Sequence, residues 1–501
     1  MAGGSFASAK GSDLNFDSRI TLSVILSCVL AATGGLMFGY DIGISGGVTS
    51  MPSFLKRFFP DVYQKIQAHN EDDSNYCKYD NQKLQLFTSS LYIAALVASL
   101  FASIVTRKLG RKQTMLIAGV FFIVGTVLNA VANSLALLII GRILLGCGVG
   151  FANQAVPVFI SEIAPTRIRG ALNIMFQLNV TIGILIANLI NWFTAMIKGD
   201  YGWRISVAIA GVPAFMLTLG ALLVDDTPNS LVERGFENEG KIVLKRIRGV
   251  ENVDLEFEEI LEASKAAKLV KSPFKNLLKR HNRPPLVIAI WLQIFQQFTG
   301  INAIMFYSPV LFNTLGFKSN ASLYSAVITG AVNVLSTLVS VYFVDKAGRR
   351  LLLLEAGVQM FVSQMVIGIV LGLKLQDHSD SLSKGYAVLV VIMVCTFVSS
   401  FAWSWGPLGW LIPSETFPLE ARSAGYSVAV FVNMLFTFII AQAFLSMLCH
   451  LKYGIFFFFS AWLLVMSVFA LFLIPETKNI PIEEMVDKWR DHWFWKKFMD
   501  D

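Results

Sequence analysis

Charged side chains are scarce in this sequence. They make up 15% of its 501 residues, whereas 55% are hydrophobic and 40 are phenylalanine. A soluble chain of this length could not bury so much apolar surface. Many separate apolar runs are long enough to cross about 30 Å of hydrocarbon. Because isolated backbone polar groups are not tolerated there, the runs predict helices, and the chain is expected to be an all-α polytopic membrane protein.

Other absences narrow the function. No GxxxxGK[ST] phosphate-binding loop occurs, so ATP-driven pumping has no support. Residues 1–19 lack a short apolar core with a small-residue cleavage site, which argues against a signal peptide. No paired acid and base or metal-ligand cluster is apparent, so neither an enzyme nor a cofactor or metal is expected. The net charge of +7 fits basic cytoplasmic loops and gives no reason to expect nucleic acid as a partner.

Hydropathy predicts twelve spans, which places both termini on one side of the membrane. Basic residues such as Arg107, Arg167 and Lys346 follow the even-numbered spans, so that side is expected to be the cytoplasm. The predicted spans are 20–43, 84–106, 113–132, 136–159, 170–193, 205–224, 284–308, 322–344, 351–374, 386–412, 423–447 and 453–474.

Two long connections and a repeat organise these spans. VTRKLGRK at 105–112 is repeated as VDKAGRR at 344–350, and SEIAPTRIRG at 161–170 as SETFPLEARSAG at 414–425. This repeat predicts two parallel six-span halves, with a binding site expected between them. The predicted parts are a cytoplasmic tail 1–19, a first half 20–224 with an external lid loop 51–83, a linker 225–283 with helix-like segments, a second half 284–474 and a cytoplasmic tail 475–501.

The sequence GGLMFGYD, which ends in Asp41, places an acid near the end of the first apolar run. A charge in the membrane is costly and is therefore a functional candidate. Arg142, in span four, is the only arginine or lysine deep in the spans of the first half. A switchable proton site and a static structural ion pair both remain open for these two residues.

Carboxamides cluster in span seven, which reads QQFTGINAIMFYSP from Gln296. An amide offers a donor and an acceptor without charge, as a sugar hydroxyl requires. Gln296 and Asn302 cannot share one face of a regular helix, but 299–301 (Thr-Gly-Ile) can unwind, as binding segments of transporters do. An alternative for each amide is a hydrogen bond that joins two helices.

Several motifs carry a resemblance to a known family. Gly141-Arg142, Asp226-Thr227-Pro228, Glu233-Arg234 and 475–478 (PETK) resemble the sugar porter branch of the major facilitator superfamily. Four longer segments resemble more closely those of plant hexose/proton symporters of the sugar transport protein group. They are FGYDIGISGGVTSM at 38–51, YCKYDNQ at 76–82, FAWSWGPLGWLIPSE at 401–415 and HWFWKKF at 492–498. The match extends from about residue 20 to residue 498.

The resemblance implies a major facilitator fold with twelve transmembrane helices in two six-helix halves plus cytoplasmic helices. It also implies that spans one and four are neighbours, so that Asp41 pairs with Arg142 and exchanges a proton. The residues expected to contact sugar are Phe38, Ile42, Gln177, Gln296, Gln297, Asn302, Asn333, Trp410 and Asn433.

Two further sets are expected at the membrane surfaces. A cytoplasmic gate of inter-helix ion pairs is predicted from Arg111, Glu162, Arg169, Arg349, Glu415 and Arg422, although basic topology alone would explain the arginines. Cys77 and Cys449 lie on the same external face, which permits a disulfide. The resemblance implies that this disulfide pins the lid to the second half.

Together these observations predict proton-coupled uptake of monosaccharides such as glucose across a plasma membrane, by a protein that works as a monomer in the bilayer. A facilitative uniporter is the alternative, and Asp41 argues against it. A sugar sensor would be expected to carry a long signalling tail, whereas 478–501 is short. The preferred sugar, and the choice between plasma and vacuolar membranes, stay open.

Overall fold

The described part of the computed structural model comprises residues 21–67, 75–164, 169–197, 199–269, 273–314, 319–374, 382–417, 419–478 and 485–499. Its regular secondary structure is helical, with no strand in these ranges. The first-half helices are α1 (Leu22–Thr49), α2 (Pro52–Phe58), α3 (Pro60–Gln67), α4 (Gln82–Leu109), α5 (Arg111–Ala130), α6 (Leu135–Ile163), α7 (Arg169–Thr194), α8 (Tyr201–Ile209) and α9 (Gly211–Leu223).

The remaining helices form the linker, the second half and the C-terminal segment. The linker contains α10 (Pro228–Glu233), α11 (Glu237–Arg248), α12 (Asp254–Leu269) and α13 (Pro273–Leu277). The later helices are α14 (Arg283–Phe298), α15 (Ile301–Thr314), α16 (Ser319–Ala347), α17 (Arg349–Lys374), α18 (Lys384–Trp403), α19 (Trp405–Thr416), α20 (Leu419–Leu451), α21 (Gly454–Leu473), α22 (Met485–Asp491) and α23 (Lys496–Met499).

Eleven helical stretches of the described chain are long and apolar enough to cross a membrane. The predicted span 284–308 is the exception, because it is divided into α14 and α15. The division falls at Thr299 and Gly300, and Gly300 has a φ of +85° that a side chain would disfavour. The interruption predicted in this segment is therefore present.

Other helix breaks and ends differ from the hydropathy prediction. Span 386–412 is broken at Ser404, between α18 and α19, and span 205–224 at Ala210, between α8 and α9. Helix α1 continues to Thr49, beyond the predicted end at residue 43. Its last turns contain Ser45, Gly46 and Gly47, which lower the hydropathy but are buried against other helices.

Helices also occupy both long connections. In the connection between α1 and α4, Phe54 of α2 belongs to an aromatic cluster in which its ring lies 5.2 Å from that of Phe87 and 5.6 Å from that of Trp203. In the linker, α11 and α12 coincide with the helical segments predicted from charge spacing. Arg248 donates to the carbonyl of Ile163 at 2.8 Å, so the linker contacts the end of α6.

Close packing of α1 against α7 depends on glycines spaced four residues apart. A Cβ at Gly39 would lie 1.9 Å from the carbonyl oxygen of Val180, and one at Gly35 would lie 2.4 Å from that of Phe176. Gly43 and Gly47 continue the same row along α1. Small residues allow helix backbones to approach closely where water provides no driving force. The row therefore holds α1, with Asp41, at backbone contact with α7.

We expect Gly39→Ala to lower the free energy of unfolding by about 1–3 kcal/mol, because an added methyl group would force the two backbones apart. The control is Gly211→Ala, whose Cβ would meet only Thr126 at an ordinary 3.6 Å. Thermal unfolding of the two purified variants checks this, and equal melting temperatures would contradict it.

Candidate transport site

A buried ion pair joins α1 to α6. Arg142 Nη1 lies 2.6 Å from Asp41 Oδ1, and the two side chains are each 2% exposed. Asp41 Oδ2 is buried and has no hydrogen-bond partner among the described residues. One oxygen of the Asp41 carboxylate therefore accepts no hydrogen bond from the described residues, although the carboxylate lies beside a guanidinium.

The remaining contacts of Arg142 fix its guanidinium in place. It donates to Ser45 Oγ at 2.8 Å and to the Phe87 carbonyl at 3.1 Å, and it lies 4.8 Å from the centre of the Phe87 ring. Ser45 in turn donates to the carbonyl of Asp41 at 2.9 Å. Hydrogen bonds of this kind are what make a buried pair tolerable. Ser45 is a member of the site that sequence reasoning missed, although it stands one helical turn after Asp41.

A network of carboxamides joins α14, α19 and α20. Asn433 Nδ2 donates to Gln296 Oε1 and to Gln293 Oε1, both at 2.7 Å. Gln296 donates to the carbonyls of Trp405 and Gly406 at 3.1 and 3.0 Å, beside the break at Ser404. Gln293 was not predicted, although its place one turn before Gln296 and Gln297 could have indicated it.

The other predicted sugar residues have varied surroundings. Asn302 donates to Gln297 across the break between α14 and α15. Asn333 is buried near Met305, with Nδ2 3.9 Å from the sulfur. Gln177 is half-buried on α7.

Three apolar or aromatic candidates complete the predicted set. Trp410 is half-buried, with its ring 6.1 Å from that of Tyr426. Phe38 and Ile42 lie on either side of Asp41 in the sequence of α1, and Phe38 is half-buried whereas Ile42 is buried.

Arg111 is the centre of the predicted cytoplasmic cluster. Its guanidinium lies 2.8 Å from Glu162 and 2.9 Å from Glu233. Glu162 belongs to α6 and Glu233 to α10, so these pairs connect helices of the first half to the linker. Arg349 is buried and donates to the Val344 carbonyl at 3.2 Å. The side chains of Arg169, Glu415 and Arg422 lie outside the described residues.

Two acids in equivalent places cap the first turns of α5 and α17. Asp226 Oδ1 accepts the backbone N–H of Arg111 at 3.2 Å, and Glu476 Oε1 accepts that of Arg349 at 2.9 Å. Each helix follows a glycine with positive φ, Gly110 or Gly348. A carboxylate at a helix N-terminus satisfies orphan donors and the helix dipole. The motifs containing these acids were noted in the sequence, but their capping role was not predicted.

A polar seam joins α4 to α20 near the end that carries the two cysteines. Ser89 donates to Gln442 at 2.6 Å, and Gln82 donates to Ser446 at 2.9 Å. Cys77 and Cys449 form the predicted disulfide, with their Cα atoms 4.4 Å apart. The seam was missed in the sequence, where polar residues 82, 85 and 89 at helical spacing were its signal.

The burial of the Asp41–Arg142 pair leads to a prediction about the free energy of unfolding. Removing one partner of a buried pair costs about 3–5 kcal/mol because a charge is left uncompensated. We therefore expect Arg142→Gln to unfold at a much lower temperature than Asp41→Asn/Arg142→Gln, which buries no charge. The loss in Arg142→Gln is expected to be smaller at acidic pH, since Asp41 can then be neutralised by a proton. Melting curves of the variants at acidic and neutral pH check this, and equal stability of the single and double variants would contradict it.

Comparison with known proteins identifies the family. Residues 27–489 match the family described as Sugar (and other) transporter. The chain is 72% identical over 503 residues to Sugar transport protein 13 of Arabidopsis thaliana, covering 100% of this chain and 95% of that protein. It is 72% identical over 502 residues to Sugar transport protein MST4 of Oryza sativa subsp. japonica, covering 100% and 96%.

A solved structure supports the fold. The proton:xylose symporter XylE, bound to 6-bromo-6-deoxy-D-glucose, matches with a TM-score of 0.79 at 24% identity, over 94% of this chain and 100% of that one. The predicted major facilitator fold is confirmed, and the family and fold are those of a multi-pass membrane transporter rather than an enzyme. This chain belongs to the sugar porter family of the major facilitator superfamily, alongside the plant sugar transport proteins.

Proposed function

We propose that this protein takes up hexoses together with protons across the plasma membrane of a plant cell, with Asp41 as the proton site and Arg142 as its partner. The observation that carries the proposal is the buried pair whose carboxylate has one oxygen without a partner in the described chain. That oxygen is a place where a proton can bind without first displacing Arg142. The protein is proposed to work as a monomer with both termini in the cytoplasm, as the basic loops favour.

Protonation would change how α1 is held. With Asp41 charged, its attraction to Arg142 binds α1 to α6. With Asp41 neutral, the Coulomb attraction is lost and only a weaker hydrogen bond remains. Because α1 also packs against α7 and α15, a loosened pair would let the first half shift against the second. This shift is the proposed link between proton binding and alternating access.

The amide network supplies the proposed sugar site. Gln293, Gln296 and Asn433 hold each other in position, and the half-buried Gln177, Asn302 and Trp410 are proposed to contact the sugar directly. Amides match hydroxyl groups, and an indole ring matches the apolar face of a pyranose. Relatives named as sugar transport proteins and a neighbour named as a proton:xylose symporter support this reading.

Proton coupling provides enough driving force to concentrate a neutral sugar. One charge moving through 100 mV is worth about 2.3 kcal/mol, which corresponds to roughly a fifty-fold gradient. A facilitator with the same pocket is the alternative function, and it would have no need of a buried carboxylate. A sensor that binds sugar without carrying it is a further alternative, which uptake measurements exclude or support directly.

We expect wild-type protein in hexose-transport-deficient cells to accumulate radiolabelled glucose above the external concentration, more strongly at acidic pH, and to lose accumulation with a protonophore. Asp41→Asn is expected at most to equilibrate glucose, because an amide cannot carry the proton. If both proteins carry glucose alike and ignore pH, the transporter is a facilitator. If surface-exposed wild type carries none, the sensor is favoured.

The amide network gives a separate test of the sugar site. We expect Asn433→Leu to raise the KM for glucose by about 5–150-fold, since unpaired buried amides cost about 1–3 kcal/mol. The matched control is Asn129→Leu, which replaces a buried amide of α5 whose Oδ1 has no partner in the described chain. An unchanged KM in Asn433→Leu, or an equal rise in both variants, would argue against this site.

A further inference from the structure

The HWFWKKF motif at 492–498 has no part in the proposed transport mechanism, yet it is firmly attached to the second half. Trp495 Nε1 donates to the Leu473 carbonyl at 2.7 Å, and Trp493 Nε1 donates to the Phe472 carbonyl at 3.0 Å. Both carbonyls belong to the last turn of α21. The motif is thus held where the final transmembrane helix ends, at the level of a membrane surface.

Cations from two distant parts of the chain meet there. Arg280 Nη2 donates to the Lys497 carbonyl at 2.7 Å, which brings the segment before α14 against α23. We call the exposed side chains of these two segments the juxtamembrane basic patch, and its members are Lys279, Arg280, Arg283, Lys496 and Lys497.

The charges of this patch have no ion-pair partner among the described residues. None of its members has a carboxylate within 4 Å in the described chain. By contrast, the exposed lysines of the linker helix α11 are paired, Lys241 with Asp254 and Lys245 with Glu251 at 3.1 Å. Burial and the nearby Arg350 hold the pKa of His492 below its usual range, so His492 adds little charge at neutral pH.

Apolar side chains border the same patch. Trp493 is 65% exposed and Leu278 is 64% exposed. Tryptophan beside lysine and arginine is the combination that positions protein segments at the level of lipid headgroups. A partner for this patch must therefore present negative charge at an apolar boundary.

We propose that the juxtamembrane basic patch binds the headgroups of anionic phospholipids in the leaflet that faces it. The indole of Trp493 and the side chain of Leu278 lie at the acyl boundary, and the lysines and arginines contact phosphate and carboxylate groups. The bound lipid joins the start of α14 to the segment after α21. If the termini are cytoplasmic, as proposed above, this is the inner leaflet, where anionic lipids are concentrated.

The test uses the full chain in detergent, titrated with dioctanoyl phosphatidylserine and, separately, with dioctanoyl phosphatidylcholine. We expect saturable binding of phosphatidylserine that weakens with salt. Lys496→Gln/Lys497→Gln is expected to reduce the affinity by up to about thirty-fold, at roughly 1 kcal/mol per cation near a lipid surface. The matched control Lys241→Gln/Lys245→Gln removes the same charge from α11 and is expected to bind like wild type.

Several outcomes would overturn the proposal. Equal binding of the two lipids would make the interaction apolar, and an equal loss in both double variants would make it a general effect of net charge. Binding of glycerophosphoserine with the same affinity would assign the patch to a soluble phosphate ligand instead of a lipid. Because binding is measured without transport, failure here leaves the symport proposal untouched, and failure of symport leaves the lipid site testable.

Discussion

The interaction on which the arrangement of the first half depends is the buried pair of Asp41 and Arg142. Each ion taken from water into an apolar interior costs several kcal/mol even after the protein relaxes, so neither residue could lie there alone. Their 2.6 Å contact, with Ser45 and the Phe87 carbonyl completing the guanidinium's hydrogen bonds, offsets that cost. Parts of α1, α4 and α6 must meet at this one point for the charges to be tolerated.

The glycine row of α1 makes such a meeting possible. With Gly35, Gly39 and Gly43 against α7, the helix axes approach to backbone contact. That leaves the opposite side of α1 to face α6 and Arg142. Within the proposed function, Oδ2 of Asp41 is the oxygen that can accept the proton, since a carboxylate with both oxygens hydrogen-bonded would be a poor proton acceptor.

The second half uses neutral polar groups where the first uses charges. Its helices are interrupted at Gly300 and Ser404, and the carbonyl of Gly409, which lacks a helical N–H partner because Pro413 follows four residues later, accepts a hydrogen bond from Gln293 at 2.6 Å. Broken helices are tolerated in a membrane only where the released groups find partners. The amide network meets that need, and the same groups are well suited to a sugar, so structural and binding roles need not exclude each other. At the surfaces, Asp226 and Glu476 repeat one capping arrangement in both halves, as expected of an internal repeat.

Much of the fold and part of the candidate site could be predicted from the sequence, because membrane insertion imposes simple rules on hydropathy and charge. Scarce charge and repeated apolar runs determined the helical class, and basic residues predicted the side of the loops. The motifs, and the family resemblance they carry, anticipated Asp41, Arg142 and the disulfide cysteines. Only the tertiary structure decided the roles of Gln293, Ser45, Asp226 and Glu476, and it alone placed Ser89 against Gln442. A helix segment records which of its residues are polar but not which neighbour they will meet, so the partners of hydrogen bonds between residues about a hundred or more positions apart cannot be read from a local pattern.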